Sequence, residues 1–189
     1  MRKGEIERVT EETDIKVKID LDGSGEAEVE TGIKFFDHLL ESMVKHGRFD
    51  IVAKAKGDFD HHIAEDVMIG LGKSFEDALG DKKGIRRMGD AIVPMDDSLV
   101  LLAIDIGGRV YTNVRMDLEK EKLVDLNSDL LIHLLETFAG NLKCNLHVDV
   151  LRGINDHHKA EATFKALGVA LSEAVEEIGE DVPSTKGVV

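Results

Sequence analysis

Asp60-His61-His62-Ile63-Ala64-Glu65 and Asp156-His157-His158-Lys159-Ala160-Glu161 are near-copies of one another, His157 standing 96 positions after His61. The copying extends outward. His38-Leu39-Leu40-Glu41 returns as His133-Leu134-Leu135-Glu136, and Leu71-Gly72 returns as Leu167-Gly168, at offsets of 95 and 96. Three separate strings at spacings within one residue of each other mark an internal duplication, so whatever the first half folds into, the second half is expected to repeat.

The first half begins with alternation. Ile15, Val17, Ile19 and Leu21 share one face against Lys16, Lys18 and Asp20, which predicts a half-buried strand. Asp22-Gly23-Ser24-Gly25 supplies turn chemistry, and Ala27 and Val29 resume the period of two, so residues 14–31 are expected to form a hairpin. From 35 to 44 the apolar positions change to helical spacing (Phe36, Leu39, Leu40, Met43), ending at Gly47 as a C′ glycine. A strand over 49–56 and a helix over 62–79 follow. The expectation is an α+β protein of two repeats, 1–86 and 87–189, each β-β-β-α-β-α. Each repeat would form a roughly four-stranded sheet with two helices on one face.

Composition bounds the function. The chain has 189 residues, 42% hydrophobic and 33% charged, enough to bury about 70% of its unfolded surface without disulfide or structural metal. Any metal is then expected to be functional. The single cysteine, Cys144, excludes a disulfide framework and a cysteine-rich zinc module. Apolar runs such as 98–104 stop well short of a membrane span, and Met1-Arg2-Lys3 leads into acidic sequence, so a cytoplasmic protein with no membrane partner is expected. A net charge of −14 argues against nucleic acid, while leaving room for a small anion held by a local cluster of cations.

The histidines suggest metal ligation. Residues four apart lie over one another on a helix, so His61 with Glu65, and His157 with Glu161, are placed to chelate one ion each. His62 and His158, turned by about 100°, face elsewhere, most simply toward a second ion. His38 and His133 complete six imidazoles and two carboxylates, enough for two ions. Nitrogen and oxygen donors without thiolate suit Mn²⁺, Fe²⁺ or Zn²⁺, and open octahedral positions tilt the choice to Mn²⁺ or Fe²⁺. Asp66, matched by Ala162, is read as no ligand; His46 and His147, without matched partners, are read as structural. Cations and glycines recur in 81–89, in Gly107-Gly108-Arg109 and in the tail Pro183-Ser184-Thr185-Lys186-Gly187, groups suited to a phosphate monoester. Gly70-Leu71-Gly72 lies inside a helical pattern and is not a dinucleotide fingerprint.

Taken together, Arg8-Val9-Thr10-Glu11-Glu12-Thr13, Phe36-Asp37-His38, the two His-His-x-x-Glu strings, Gly84-Ile85-Arg86-Arg87, Pro94-Met95-Asp96 and Ser184-Thr185-Lys186-Gly187 resemble imidazoleglycerol-phosphate dehydratase of histidine biosynthesis, over nearly the whole chain. The stretch Gly57-Asp58-Phe59-Asp60 is shorter than in many relatives. The resemblance implies a duplicated fold like the second domain of ribosomal protein S5, two Mn²⁺ per active site, and a homo-oligomer of 24 subunits with its sites at subunit interfaces. It implies His38, His61, His62, Glu65, His133, His157, His158 and Glu161 as ligands. Glu12 and Glu161 would be the acid–base groups, with Asp96 a third candidate. Arg87, Arg109, Lys165, Ser184 and Lys186 would hold the phosphate and its approach, with Glu12 beside the substrate. Some relatives carry a fused phosphatase domain; a monofunctional form is expected here. Two other readings remain open: a dinuclear-metal phosphatase, and a non-catalytic metal-storage shell protein.

Overall fold

The computed structural model describes residues 2–187. The first half contains β1 (Lys3–Val9), β2 (Thr13–Asp20), β3 (Ala27–Glu30), α1 (Lys34–Gly47), β4 (Asp50–Gly57) and α2 (Asp60–Leu79). The second contains β5 (Met88–Met95), β6 (Ser98–Asp105), β7 (Tyr111–Arg115), β8 (Lys122–Leu123), β9 (Leu126–Asn127), α3 (Ser128–Leu142), β10 (Asn145–Arg152) and α4 (Asp156–Ala174). The two four-stranded sheets have matching orders, β1-β2-β4-β3 and β5-β6-β10-β7. In each, the third strand pairs parallel with the strand that follows the intervening helix (β3 with β4, β7 with β10), and the remaining pairs are antiparallel.

The alternation in β2 separates the two faces of the first sheet. Ile15, Val17 and Ile19 are buried under the helices. Lys16 and Lys18 stand on the other face, where both meet Glu5, at 2.9 and 3.0 Å. α2 packs on β1 and β2, and α4 on β5 and β6; across the middle, α1 packs on α4 and α2 on α3. The helices thus form one buried layer between two sheets, and each helix pair joins one half to the other.

Residues 14–31 do not form a hairpin. β4 lies between β2 and β3, because the glycine-rich segment wraps round the start of β4 instead of turning back. Asp50 Oδ1 accepts the backbone N–H groups of Ser24, Gly25 and Glu26 at 2.8–2.9 Å. β3 then runs parallel to β4, with α1 as the crossover such a pair requires. Gly47 is also not the left-handed C′ residue: it ends the helix itself, and Arg48 takes φ 59°. A second departure from simple repetition is the β8–β9 ribbon, which has no counterpart among the described residues of the first half. The carboxylate of Asp125, in its turn, accepts the N–H groups of Lys34 and Phe35 at 2.8 and 3.0 Å, capping a helix whose own N-cap, Ile33, has no side-chain acceptor.

The glycines repeated within α2 and α4 set how closely the helices cross. A Cβ on Gly168 would lie 2.1 Å from the carbonyl oxygen of Met43, and one on Gly72 would lie 2.7 Å from that of Phe138. The α4–α1 and α2–α3 crossings therefore bring backbone against backbone, one to two turns from His38 and Glu161 and from His133 and Glu65. Gly168→Ala is expected to force α1 and α4 apart, costing about 1–3 kcal/mol, or roughly 2–12 °C in Tm, in a thermal melt with chelator present. Cys144 is fully buried, and burial pushes its thiol up to about 12. It should resist a thiol-specific reagent at pH 8 in the native protein and react only after denaturation.

Candidate metal and substrate site

The repeated strings meet across the halves. His38, from α1, and His157 and Glu161, from α4, converge so that one donor atom of each lies within 4.8 Å of the others. His38 Nε2 is 3.2 Å and His157 Nε2 3.5 Å from Glu161 Oε2. The same arrangement is begun on the other side, where His133 Nε2 of α3 is 3.0 Å from Glu65 Oε1 of α2. Each glutamate thus receives the histidine of the opposite half, one to two helical turns from a glycine crossing.

Glu161 is buried beside Lys165, whose Nζ is 2.8 Å from Oε1. Burial alone would raise its pKa, but the hydrogen bonds from Lys165 and His38, with their charges, outweigh that effect and hold the carboxyl below the ordinary value. It is an ionised oxygen donor at neutral pH. The start of α4 is rigidly held. Asn155 Oδ1 caps it by accepting from His157 N at 3.0 Å. Asp156 accepts from the N–H groups of Glu119 and Lys120, both at 2.8 Å, and from Lys159 Nζ at 2.9 Å, in a fully buried ion pair. Breaking such a pair by removing one partner is strongly destabilising, because the survivor stays buried and unpaired.

The remaining ligand candidates lie apart. His61 is stacked on Phe59 and lies edge-on to His62, and among the described residues no ion pair joins it to Glu65. His62 Nδ1 is 2.8 Å from Asp58 Oδ1 and 3.8 Å from Glu12 Oε2; its pKa is raised, chiefly by the hydrogen bond to Asp58. His158 Nδ1 is 2.5 Å from Asp97 Oδ1, and Asp96 Oδ2 stands 3.5 Å from its Nε2. Glu12 is exposed on the β1–β2 turn, which Thr10 stabilises by accepting from Glu12 N and Thr13 N. Asp66 accepts from Arg8 Nε at 3.0 Å and from the Thr13 hydroxyl, a bridge between β1, β2 and α2.

The cationic residues gather in two places. Arg87, Gly107, Gly108, Arg109, Ser184 and Lys186 line a groove of about 580 Å³ between the β6–β7 loop and the tail. Arg87 forks onto Asp105, at 2.6 and 2.9 Å, and donates to Pro183 O at 3.0 Å, tying the tail to the second sheet. Lys165 belongs instead to a hollow beside the triad, shared with His38, Ser42, His46 and Glu161. His46 was read as structural because its repeat counterpart is Asn141; its place in that hollow has no repeat signal to reveal it. His147 lies against Tyr111 on β7, ring centroids 5.4 Å apart. Asp58 and Asp97 were also missed. Asp97 sits just before β6 as Glu12 sits just before β2, a correspondence that the 95–96 repeat spacing does not show.

Residues 31–171 match the family model for imidazoleglycerol-phosphate dehydratase. An imidazoleglycerol-phosphate dehydratase of Dehalococcoides mccartyi is 51% identical over 99% of this chain and 97% of its own length. That of Methanococcoides burtonii is 47% identical over the whole of both. Among solved structures, the IGPD of Pyrococcus furiosus, in complex with (S)-C348, superposes with a TM-score of 0.84 at 36% identity, covering 97% of this chain and 100% of that one. The Staphylococcus aureus imidazoleglycerol-phosphate dehydratase gives 0.85 at 31% identity, covering 93% and 99%. With the duplicated fold and crossed His–Glu pairs already in place, these matches over full length mean that the chain belongs to the imidazoleglycerol-phosphate dehydratase family of hydro-lyases.

Proposed function

We propose that this chain removes water from imidazole glycerol phosphate to give imidazole acetol phosphate in histidine biosynthesis, using two Mn²⁺ ions per active site. It would act in the cytoplasm as a homo-oligomer of 24 subunits. The observation that carries the reading is the convergence of His38, His157 and Glu161 from two halves of the chain. Two imidazoles and an ionised carboxylate, without thiolate, are a donor set that fits Mn²⁺. The paired His133 and Glu65 supply the start of a second.

A second observation supports sites completed between subunits. Arg87 N bonds to Ala174 O at the last turn of α4, whereas His157 stands on its first. Those ends are separated by 17 residues, about 25 Å at 1.5 Å per residue. That is far longer than a three-carbon chain between an imidazole ring and a phosphate. One copy's groove and another copy's triad would have to meet for the substrate to engage both. His61, His62 and His158, which stand outside the triad here, would then be available as ligands at such contacts.

When bound, the ions would draw electron density from a coordinated imidazole ring and so make loss of the neighbouring hydroxyl feasible. The protein groups do the rest. Arg109, Ser184 and Lys186 hold the phosphate, with Arg87 fixing the tail that carries two of them. Glu12 moves the carbon-bound proton from its exposed turn, Glu161 serves as ligand and proton carrier, and Lys165 keeps it ionised. Asp96, beside His158, is the further acid–base candidate. Release of the carbon-bound proton and the hydroxyl leaves an enol, which tautomerises to the ketone.

Incubation of the Mn²⁺-loaded protein with imidazole glycerol phosphate should yield a ketone that retains its phosphate. Release of inorganic phosphate would favour a dinuclear phosphatase instead, and more than about two ions per chain without turnover would favour a metal store. Glu12→Gln should reduce kcat by 10²–10⁴-fold with metal content unchanged; undiminished turnover would remove Glu12 from the chemistry.

A further inference from the structure

Beyond the ligands themselves, the second histidine of each His-His pair has a carboxylate on the same ring nitrogen, and the two carboxylates come from unrelated places. For His158 it is Asp97, at the β5–β6 turn, whose Oδ1 is 2.5 Å from Nδ1. Asp97 Oδ2 is in turn fixed by the N–H groups of Ile154 and Asn155, at 2.5 and 2.9 Å, in the loop that leads into α4. For His62 it is Asp58, four residues earlier in the shortened loop before α2, with Oδ1 2.8 Å from Nδ1; the same oxygen also accepts from Phe59 N at 2.7 Å.

An ionised carboxylate only accepts hydrogen bonds, so each of these contacts puts the ring proton on Nδ1 and leaves the lone pair on Nε2. For His158 the other ring nitrogen has two neighbours. Asn155 Oδ1 is committed to the N–H of His157, so its amide nitrogen is the atom that faces His158 Nε2, at 3.5 Å. Asp96 Oδ2, an acceptor, also stands 3.5 Å from Nε2, so the tautomer is set by the much shorter Nδ1 contact with Asp97. Repetition of the arrangement with different scaffolding in each half argues against a chance contact. Glu12, which occupies the place corresponding to Asp97 in the first half, is 3.8 Å from His62 Nδ1 and does not make this bond.

Resting on the metal reading above, we infer that Asp97 and Asp58 are positioning residues that lock the Nδ1–H tautomer of His158 and His62 and so hold Nε2 ready for metal. A carboxylate on the far nitrogen of a ligating imidazole also raises its basicity, and its loss typically weakens metal binding 10–100-fold. The two are unequal. Asp97 is fixed by two backbone donors from a distant loop, whereas Asp58 has one donor from its own neighbour. The second-half ligand is therefore the more rigidly prepared.

The test is a Mn²⁺ titration of the full-length chain against a competing chelator, comparing Asp97→Asn and Asp58→Ala with His158→Ala and His62→Ala. Each aspartate variant should weaken one of the two Mn²⁺ equivalents by about 10–100-fold and leave the other within twofold. The affected equivalent should be the one lost in the matching histidine variant, and metal-free thermal unfolding should be unchanged. Should Asp97→Asn lower metal-free stability, Asp58→Ala decides, since its carboxylate has little other work. Wild-type affinity at both equivalents in both aspartate variants would overturn the positioning role while leaving the metal reading intact. A wild-type chain that bound no Mn²⁺ would overturn both.

Discussion

Two backbone-to-backbone helix crossings govern the molecule. At each, a glycine in the second helix of one half stands where a β-carbon would strike a carbonyl of the first helix of the other half: Gly168 against Met43, Gly72 against Phe138. Close approach at these points brings the helices near enough for their polar ends to touch. His38 reaches Glu161 and His133 reaches Glu65. A histidine and a glutamate far apart in sequence become neighbours because two glycines have no side chains. The same crossings knit two small sheets into one buried layer, so stability and site geometry rest on one packing arrangement.

Around this frame, charge is distributed locally and against the overall balance. The protein carries −14, yet cations stand at selected carboxylates: Lys165 at Glu161, Lys159 at Asp156, Arg8 at Asp66, Arg87 at Asp105. Each secures an element near the site, and Lys165 and Lys159 also help to hold Glu161 and Asp156 ionised. The Lys159–Asp156 pair fixes the start of α4, and the Arg87–Asp105 fork fixes the tail beside the basic groove. Asp125 does the same for α1 from the opposite half, through backbone N–H groups. Several carboxylates of this acidic chain thus hold backbone or imidazole in place.

The duplication, the α+β class and the helix-spaced histidines were legible because they are local or periodic: a strand alternates, a helix returns every fourth residue, and a repeat announces its offset. What escaped notice depended on distant contacts. The strand over 27–30 reads as the return arm of a hairpin until Asp50 is seen to gather the N–H groups of the preceding loop. The β8–β9 ribbon has only two residues in each strand, too few to show a period. Spacing predicted that His61 would face Glu65, one turn away on its own helix; the nearer histidine is His133, because helix packing competes with intrahelical spacing. Asp58 and Asp97 gave no signal as ligand supports, since an aspartate in a turn is ordinary until its neighbour is known.

Each metal position is proposed to be built from both halves of the duplication. Anomalous diffraction from crystals of the Mn²⁺-loaded protein tests it most directly, since the ions and their ligands are located together. One ion should be bound by His38 with His157 and Glu161, and another should include both His133 and Glu65. Ions held by His61 and Glu65 alone, or by His157 and Glu161 alone, with His133 and His38 outside bonding distance, would contradict the account.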